Sequence, residues 1–152
     1  MKLSRTLSYA VKGVALLAEA VPGRPVPCRE LAEQGRMPER FLLQILRGLV
    51  NHGILVSTRG VEGGYSLNRP ASDVSLLEVF EAIDGVVSFE LDDCEPISLG
   101  LREAMHSLSE DTRSRLASVR LSDLTMKSEI GNPLPVATEE LEVPPSASEF
   151  VA

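Results

Sequence analysis

Thr58-Arg59-Gly60-Val61-Glu62-Gly63-Gly64-Tyr65-Ser66-Leu67 is the stretch that decides the fold. Two β-prone runs, residues 54–58 and 65–68, lie on either side of glycines 60, 63 and 64. Glycine takes positive φ without steric cost, so the runs fold back as a hairpin and leave Arg59 near its exposed tip.

Immediately upstream, a helix opens with Pro38 near its first position and Glu39 in its first turn, and closes at Gly53. Phe41, Leu42, Ile45, Leu46, Leu49 and Val50 repeat with a spacing that defines one buried face. Arg40, Leu43, Gln44, Arg47 and Asn51 fall on the opposite side as a polar stripe. Before it, residues 28–34 form a short helix that buries Leu31 and Ala32 and ends at Gly35, a suitable left-handed residue. Ser4 caps a first helix, residues 5–20, whose apolar stripe runs from Leu7 to Val21 and is stopped by Pro22-Gly23-Arg24-Pro25. A helix, a tight turn and a longer helix make a helix-turn-helix, and the hairpin after it is a wing. The predicted class is mainly α with a small β-hairpin wing.

Downstream, Ser75 and Glu78 form a capping box for a fourth helix, residues 76–84, ending at Gly85. An acidic loop occupies residues 90–95, and a long helix spans residues 96–120. Along it Ile97, Leu101, Met105, Leu108, Thr112, Leu116 and Val119 repeat at three and four residues, a narrow seam with charged flanks. The winged unit is complete without this helix, so the seam predicts homodimerisation. Residues 121–124 turn back as a short terminal segment. From Ser128, prolines among glutamates predict a disordered tail. The expected division is a winged helix-turn-helix at 1–85, an acidic loop and dimerisation helix at 86–127, and an acidic Pro-rich tail at 128–152.

With 152 residues the chain makes one ordinary domain, and its two cysteines, Cys28 and Cys94, exclude a disulfide scaffold and suit a reducing cytoplasm. No apolar run is long enough to span a bilayer. Net charge is −7, but residues 1–75 hold ten Lys and Arg against six Asp and Glu, and residues 76–152 hold five against sixteen. Phosphate neutralisation depends on local cations, so this balance permits double-stranded DNA as the partner. No P-loop, nucleophile elbow or zinc spacing is present, and Asp92, Asp93 and Glu95 read as a solvated turn, so an enzyme is not expected.

Arg40 and Gln44 lie toward the N-terminal half of the third helix, the end that a recognition helix inserts into the major groove. Arg bonds guanine and Gln bonds adenine in two places each, and Leu43 suits a thymine methyl or is simply exposed. Arg47 extends the stripe, and Arg59 is placed to seek the minor groove. Arg5, Lys12 and Arg69 are candidate phosphate contacts. The alternative is a winged-helix protein-interaction module without DNA affinity, suggested by the overall acidity, by Glu62 on the wing and by Leu43.

Taken in order, several motifs resemble the Rrf-two (IscR/NsrR/CymR-like) family of bacterial winged-helix transcription regulators. They are Met1-Lys2-Leu3-Ser4 with Tyr9-Ala10, Pro25-Val26-Pro27 with Glu30-Leu31-Ala32-Glu33, and Phe41-Leu42-Leu43-Gln44-Ile45-Leu46. The wing Arg59-Gly60-x-x-Gly63-Gly64-Tyr65-x-Leu67 and Leu76-Leu77-Glu78-Val79 before Ile83-Asp84-Gly85 complete the set. The resemblance runs to about Lys127 and implies a homodimer whose long helices cross, bound to a two-fold DNA site; the expected function is a sequence-specific DNA-binding regulator acting as a repressor. It places Gln44 and Arg59 at base-contacting positions, with Arg40 and Leu43 beside them. Leu43 departs from relatives with an acidic residue there, and Glu62 puts a carboxylate on a wing that is usually neutral or basic. Many relatives hold an iron–sulfur cluster through three cysteines. Here the corresponding loop offers only Cys94, Ser8 and Lys12 stand where some relatives place ligands, and Arg102 lies near a ligand histidine position, so no cofactor is expected. Some cluster-free relatives sense thiol oxidation, which makes Cys94 a candidate sensor. Its acidic neighbours raise its pKa and argue against that role.

Overall fold

The computed structural model describes residues 3–89 and 98–124. Among them the order is α1 (Arg5–Glu19), α2 (Cys28–Gly35), α3 (Glu39–Asn51), β1 (Leu55–Thr58), β2 (Gly64–Leu67), α4 (Leu76–Asp84) and α5 (Leu99–Ser118). Short 3-10 turns lie at Ala71–Asp73 and Leu121–Leu124. This is the expected mainly helical winged fold. No described helix is long and apolar enough to cross a membrane.

Ser4 starts α1 by accepting a bond from the Leu7 backbone N–H at 3.0 Å, and the helix buries Leu7, Ala10, Val14 and Leu17. Gly13, on the same stripe, is buried against Leu42 and Leu46 of α3, which lie at ordinary contact distance, 3.5 and 3.9 Å, from the place a Cβ would occupy. Leu42, Leu46 and Leu49 have no exposed surface. Burying each leucine contributes roughly 1.5–3 kcal/mol, so this stripe fixes how α3 is rotated on the domain. Phe41 and Val50, expected on the same face, lie at its margins. Phe41 is 37% exposed and meets Tyr9 edge-on at 5.8 Å, while Val50 is half-buried. The contact stripe is narrower than the apolar pattern, and a residue one position off its centre turns about 100° toward the flank.

The turn between α2 and α3 also departs from expectation. Gly35 stays inside α2, and Arg36 is the left-handed residue, at φ 51°. A side chain at Gly35 would collide with the buried Met37, so this glycine makes room instead of supplying the turn.

α4 carries the capping box that its sequence announces. Ser75 accepts from the Glu78 N–H, and Glu78 accepts from the Ser75 N–H at 2.8 Å and its hydroxyl at 3.0 Å. Gly85, at φ 85°, ends the helix. Arg69 donates to the same carboxylate.

α5 divides the seam expected along it. Leu101 and Leu108 are 48% and 51% exposed, but Met105, Thr112, Leu116 and Val119 are half-buried on their own subunit. The fully inward residue is Ser109, which the seam omits. Its hydroxyl donates to the Met105 carbonyl at 2.9 Å and accepts from the Phe89 N–H at 2.8 Å, so the buried group is satisfied both as donor and as acceptor. Arg113 is ion-paired with Glu81 of α4. Hydrophobic spacing alone could not anticipate that a satisfied serine sets the inner face. The chain then returns to the domain: Leu76 N–H donates to the Val119 carbonyl at 2.8 Å, Leu121 N–H to Val74 at 3.0 Å, and Leu121 is fully buried. Ile97, the acidic loop with Cys94, and the tail from Ser128 lie outside the described residues.

Burial alone would raise the Glu78 carboxyl, but the Ser75 N–H, Arg69 and the Ser75 hydroxyl together hold it below its ordinary value. A depressed folded pKa stabilises above the unfolded value, and that stabilisation is lost as pH falls through the folded one. Glu78→Ala is therefore expected to cost about 1 kcal/mol at neutral pH and to flatten the acid limb of a Tm–pH curve. An acid limb identical to the parent's would refute this account.

Candidate nucleic-acid interface

With its leucine stripe fixed inward, α3 turns Arg40, Gln44, Arg47 and Asn51 to solvent, all four exposed, while Leu43 is half-buried at the edge. The wing stands beside this stripe. β1 and β2 pair antiparallel from Leu55 opposite Leu67 to Thr58 opposite Gly64, so Arg59 opens the five-residue connection. Gly60 takes φ 114°. Gly63 and Gly64 are needed for space, because a Cβ at Gly63 would meet the Thr58 carbonyl and one at Gly64 would meet the Val26 carbonyl. That second close approach lets Val26 and Tyr65 exchange backbone hydrogen bonds at 2.8 and 2.9 Å, which pins the wing to the α1–α2 connection.

Between α3 and the wing lies a cleft of about 540 Å³, lined by Arg47, Asn51, Ser57, Thr58, Arg59 and Tyr65 among others, with no carboxylate in its lining. The structure thus brings Arg47 and Arg59, from two elements, to one cleft. Ser57 and Thr58 join them. Their part was not legible in advance, because the sequence does not announce that only the first residue of β1, Leu55, is buried. Glu62, whose carboxylate the sequence sets against an approaching polyanion, lines a different hollow together with Glu19, Arg24 and Glu30.

Ion pairing sorts the arginines in the same way. Arg29, Arg69 and Arg113 each have a carboxylate partner, Glu33, Glu78 and Glu81 respectively. Arg40, Arg47 and Arg59 have none among the described residues. Arg69, a candidate phosphate contact by sequence, is committed instead to the Asp73 carbonyl and Glu78. Arg5 and Lys12 are exposed on α1 but do not line the cleft. Cys28 is half-buried, its sulfur 3.8 Å from the Glu39 carbonyl, and burial, then the Glu39 charge, push its thiol up. A helix with unpaired cations and amides, a wing arginine beside it and no acid between them is suited to a phosphodiester strand with bases on either side.

Residues 3–127 match the Rrf2 model, described as an iron-dependent transcriptional regulator. The chain belongs to the Rrf2 family. Rv1287 of Mycobacterium tuberculosis is 32% identical over 148 residues, 93% of this chain and 88% of that protein. The HTH-type transcriptional regulator IscR of Vibrio atlanticus is 32% identical over 130 residues, covering 83% of this chain and 73% of its own. In fold the chain is similar to CymR, the global cysteine regulator of B. subtilis, with a TM-score of 0.73 at 23% identity over 85% of this chain and 99% of that one. This Rrf2 protein is a DNA-binding transcription regulator and not an enzyme, which sets aside the interaction-module alternative.

Proposed function

We propose that this Rrf2 regulator works as a sequence-specific homodimeric repressor without an iron–sulfur cluster. In this reading residues 1–85 form the DNA-binding unit, 86–127 the dimerising unit, and 128–152 an appended acidic tail. The observation that carries it is the carboxylate-free cleft shared by Arg47 of α3 and Arg59 of the wing. α3 enters the major groove, where Arg40 and Gln44 contact base edges and Leu43 lies against a thymine methyl. The phosphodiester strand crosses the cleft, and Arg59 enters the adjoining minor groove. Arg5 and Lys12 contact phosphates on the flank. Seated across a promoter, such a dimer excludes other proteins from it, which makes repression the outcome.

Gel shifts against duplexes selected from a random pool test this directly. Gln44→Ala is expected to cost about 1–3 kcal/mol and relax preference at a base pair. Arg59→Ala is expected to weaken all sequences and lower the slope of log K against log salt by about 1. No selectable duplex for a verified dimer would overturn the reading.

Dimerisation rests on Leu101 and Leu108, seven residues apart on one edge of α5, with Leu99 71% exposed nearby. Symmetric pairing of that edge would cover Leu101 and Leu108. Leu101→Asp with Leu108→Asp should halve the sedimentation mass with the helical signal retained. A mass unchanged by both substitutions would place the interface elsewhere.

The cluster-free reading is supported by the thiol count. The whole chain has two cysteines, one of them Cys28 in α2, and a cluster held by thiolates needs more donors. Anaerobically purified protein should be colourless, with no visible sulfur-to-iron absorbance. A brown product containing iron and sulfide would refute it. Cys94 is not assigned a redox role, because its acidic neighbours disfavour the thiolate.

A further inference from the structure

α3 contains an interior glycine that its own fold does not explain. Gly48 is the tenth residue of a thirteen-residue helix, and glycine there is a poorer helix former than alanine. The other helical glycines of the domain face its own core: Gly13 is buried against Leu42 and Leu46, and a Cβ at Gly35 would collide with Met37. Around a Cβ built on Gly48 there is nothing within 4 Å, and its backbone is helical, so neither packing nor φ requires it. Gly100 is equally open but lies in the first turn of α5, outside a helix interior.

Its position gives the reason. Gly48 follows Gln44 by four residues and Phe41 by seven, and precedes Asn51 by three, so it lies on the edge of the exposed stripe. A helix with its side chains is about 10–12 Å across and the major groove is about 12 Å wide, so lateral clearance is on the order of an ångström. Removing side-chain volume from one edge lets the helix sit closer to that wall.

We infer that Gly48 is a contact position, the gap into which a sugar–phosphate strand bordering the major groove fits when α3 is inserted. The inference rests on the DNA-binding reading above and adds to it a depth-setting position that carries no polar group. In the complex the strand passes over bare helix backbone at Gly48, and Gln44 and Arg40, one and two turns earlier, reach the base edges.

The effects on stability and on binding have opposite signs, which separates this role from a structural one. In the full chain, Gly48→Ala should raise Tm by about 2–4 °C at equal protein concentration. It should weaken binding to the duplex selected by the parent by roughly threefold, and Gly48→Leu by tenfold or more. The salt slope stays at the parent value in both, because no charge changes. Unchanged or tighter binding by Gly48→Leu, or a lower Tm for Gly48→Ala, would overturn the inference. If Gln44→Ala and Arg59→Ala weaken binding but both Gly48 variants do not, only this inference falls. If the parent selects no duplex, the sequence-specific reading falls and this one with it.

Discussion

The close seating of α3 on α1 is the contact on which the rest of the domain depends. A helix turns about 100° per residue, so fixing the azimuth of Leu42, Leu46 and Leu49 fixes that of every other residue on α3. Gly13 of α1 is buried where Leu42 and Leu46 arrive. The hairpin is tied to the same helix. Ile54 is almost fully buried and its N–H donates to the Leu49 carbonyl at 3.0 Å, while Asn68 donates to the Ile54 and Gly53 carbonyls, each at 3.0 Å. The root of the wing therefore follows the end of α3, and the Val26–Tyr65 exchange holds its other flank. The stripe and the wing arginine present one surface because neither can rotate without the other.

Electrostatics add a division that the whole-chain charge conceals. A net −7 describes a weak polyanion, yet association with phosphate depends on cations within a Debye length of about 10 Å. Paired arginines contribute little to that local field, since a neighbouring carboxylate cancels most of it. In this domain pairing is concentrated on α2, on the α4 cap and on the α4–α5 contact. The cleft residues Arg47 and Arg59 have no carboxylate partner among the described residues. Glu62, separated from Arg59 by Gly60 and Val61, lines the other side of the wing with Arg24. Two opposite charges on one five-residue turn are thus directed to different flanks.

Much of this was legible in the sequence. The hairpin, the capping box at Ser75 and Glu78, and the leucines at 42, 46 and 49 are specified by short-range rules of period, cap and turn, and each was found within a residue or two of its expected place. What was not legible depends on tertiary context. Phe41 looks like a core residue from its neighbours, but its exposure is set by how narrow the α1 contact is. Gly35 reads as a left-handed cap until Met37 is seen to occupy the space beside it, leaving Arg36 to turn the chain. Arg69 reads as a free cation because its partner Glu78 is nine residues away. Ser109 reads as a solvated position because its acceptor and donor belong to another turn and another segment. In each case the outcome is decided by three-dimensional packing or pairing, which the period of a pattern does not encode.

The two sides of α5 are the reverse of a self-contained helix. Its inner side is polar where it is most buried, with Ser109 bonded and Arg113 paired, and its outer edge carries leucines. Inward polar contacts contribute little net stability, because desolvation offsets most of their attraction, but they tolerate only one azimuth. The orientation of α5 is therefore fixed by contacts that could have been replaced by apolar ones if stability were the only requirement. Its C-terminal end is fixed further by the Leu76–Val119 and Val74–Leu121 bonds, which hold it against the cap of α4. α4 in turn packs on α1 and α3. In the proposed two-fold assembly the separation of the two recognition helices is consequently set at the α4–α5 contact, while their rotation is set at α1–α3. Spacing between half-sites and reading within a half-site are thereby determined by different residues of the chain.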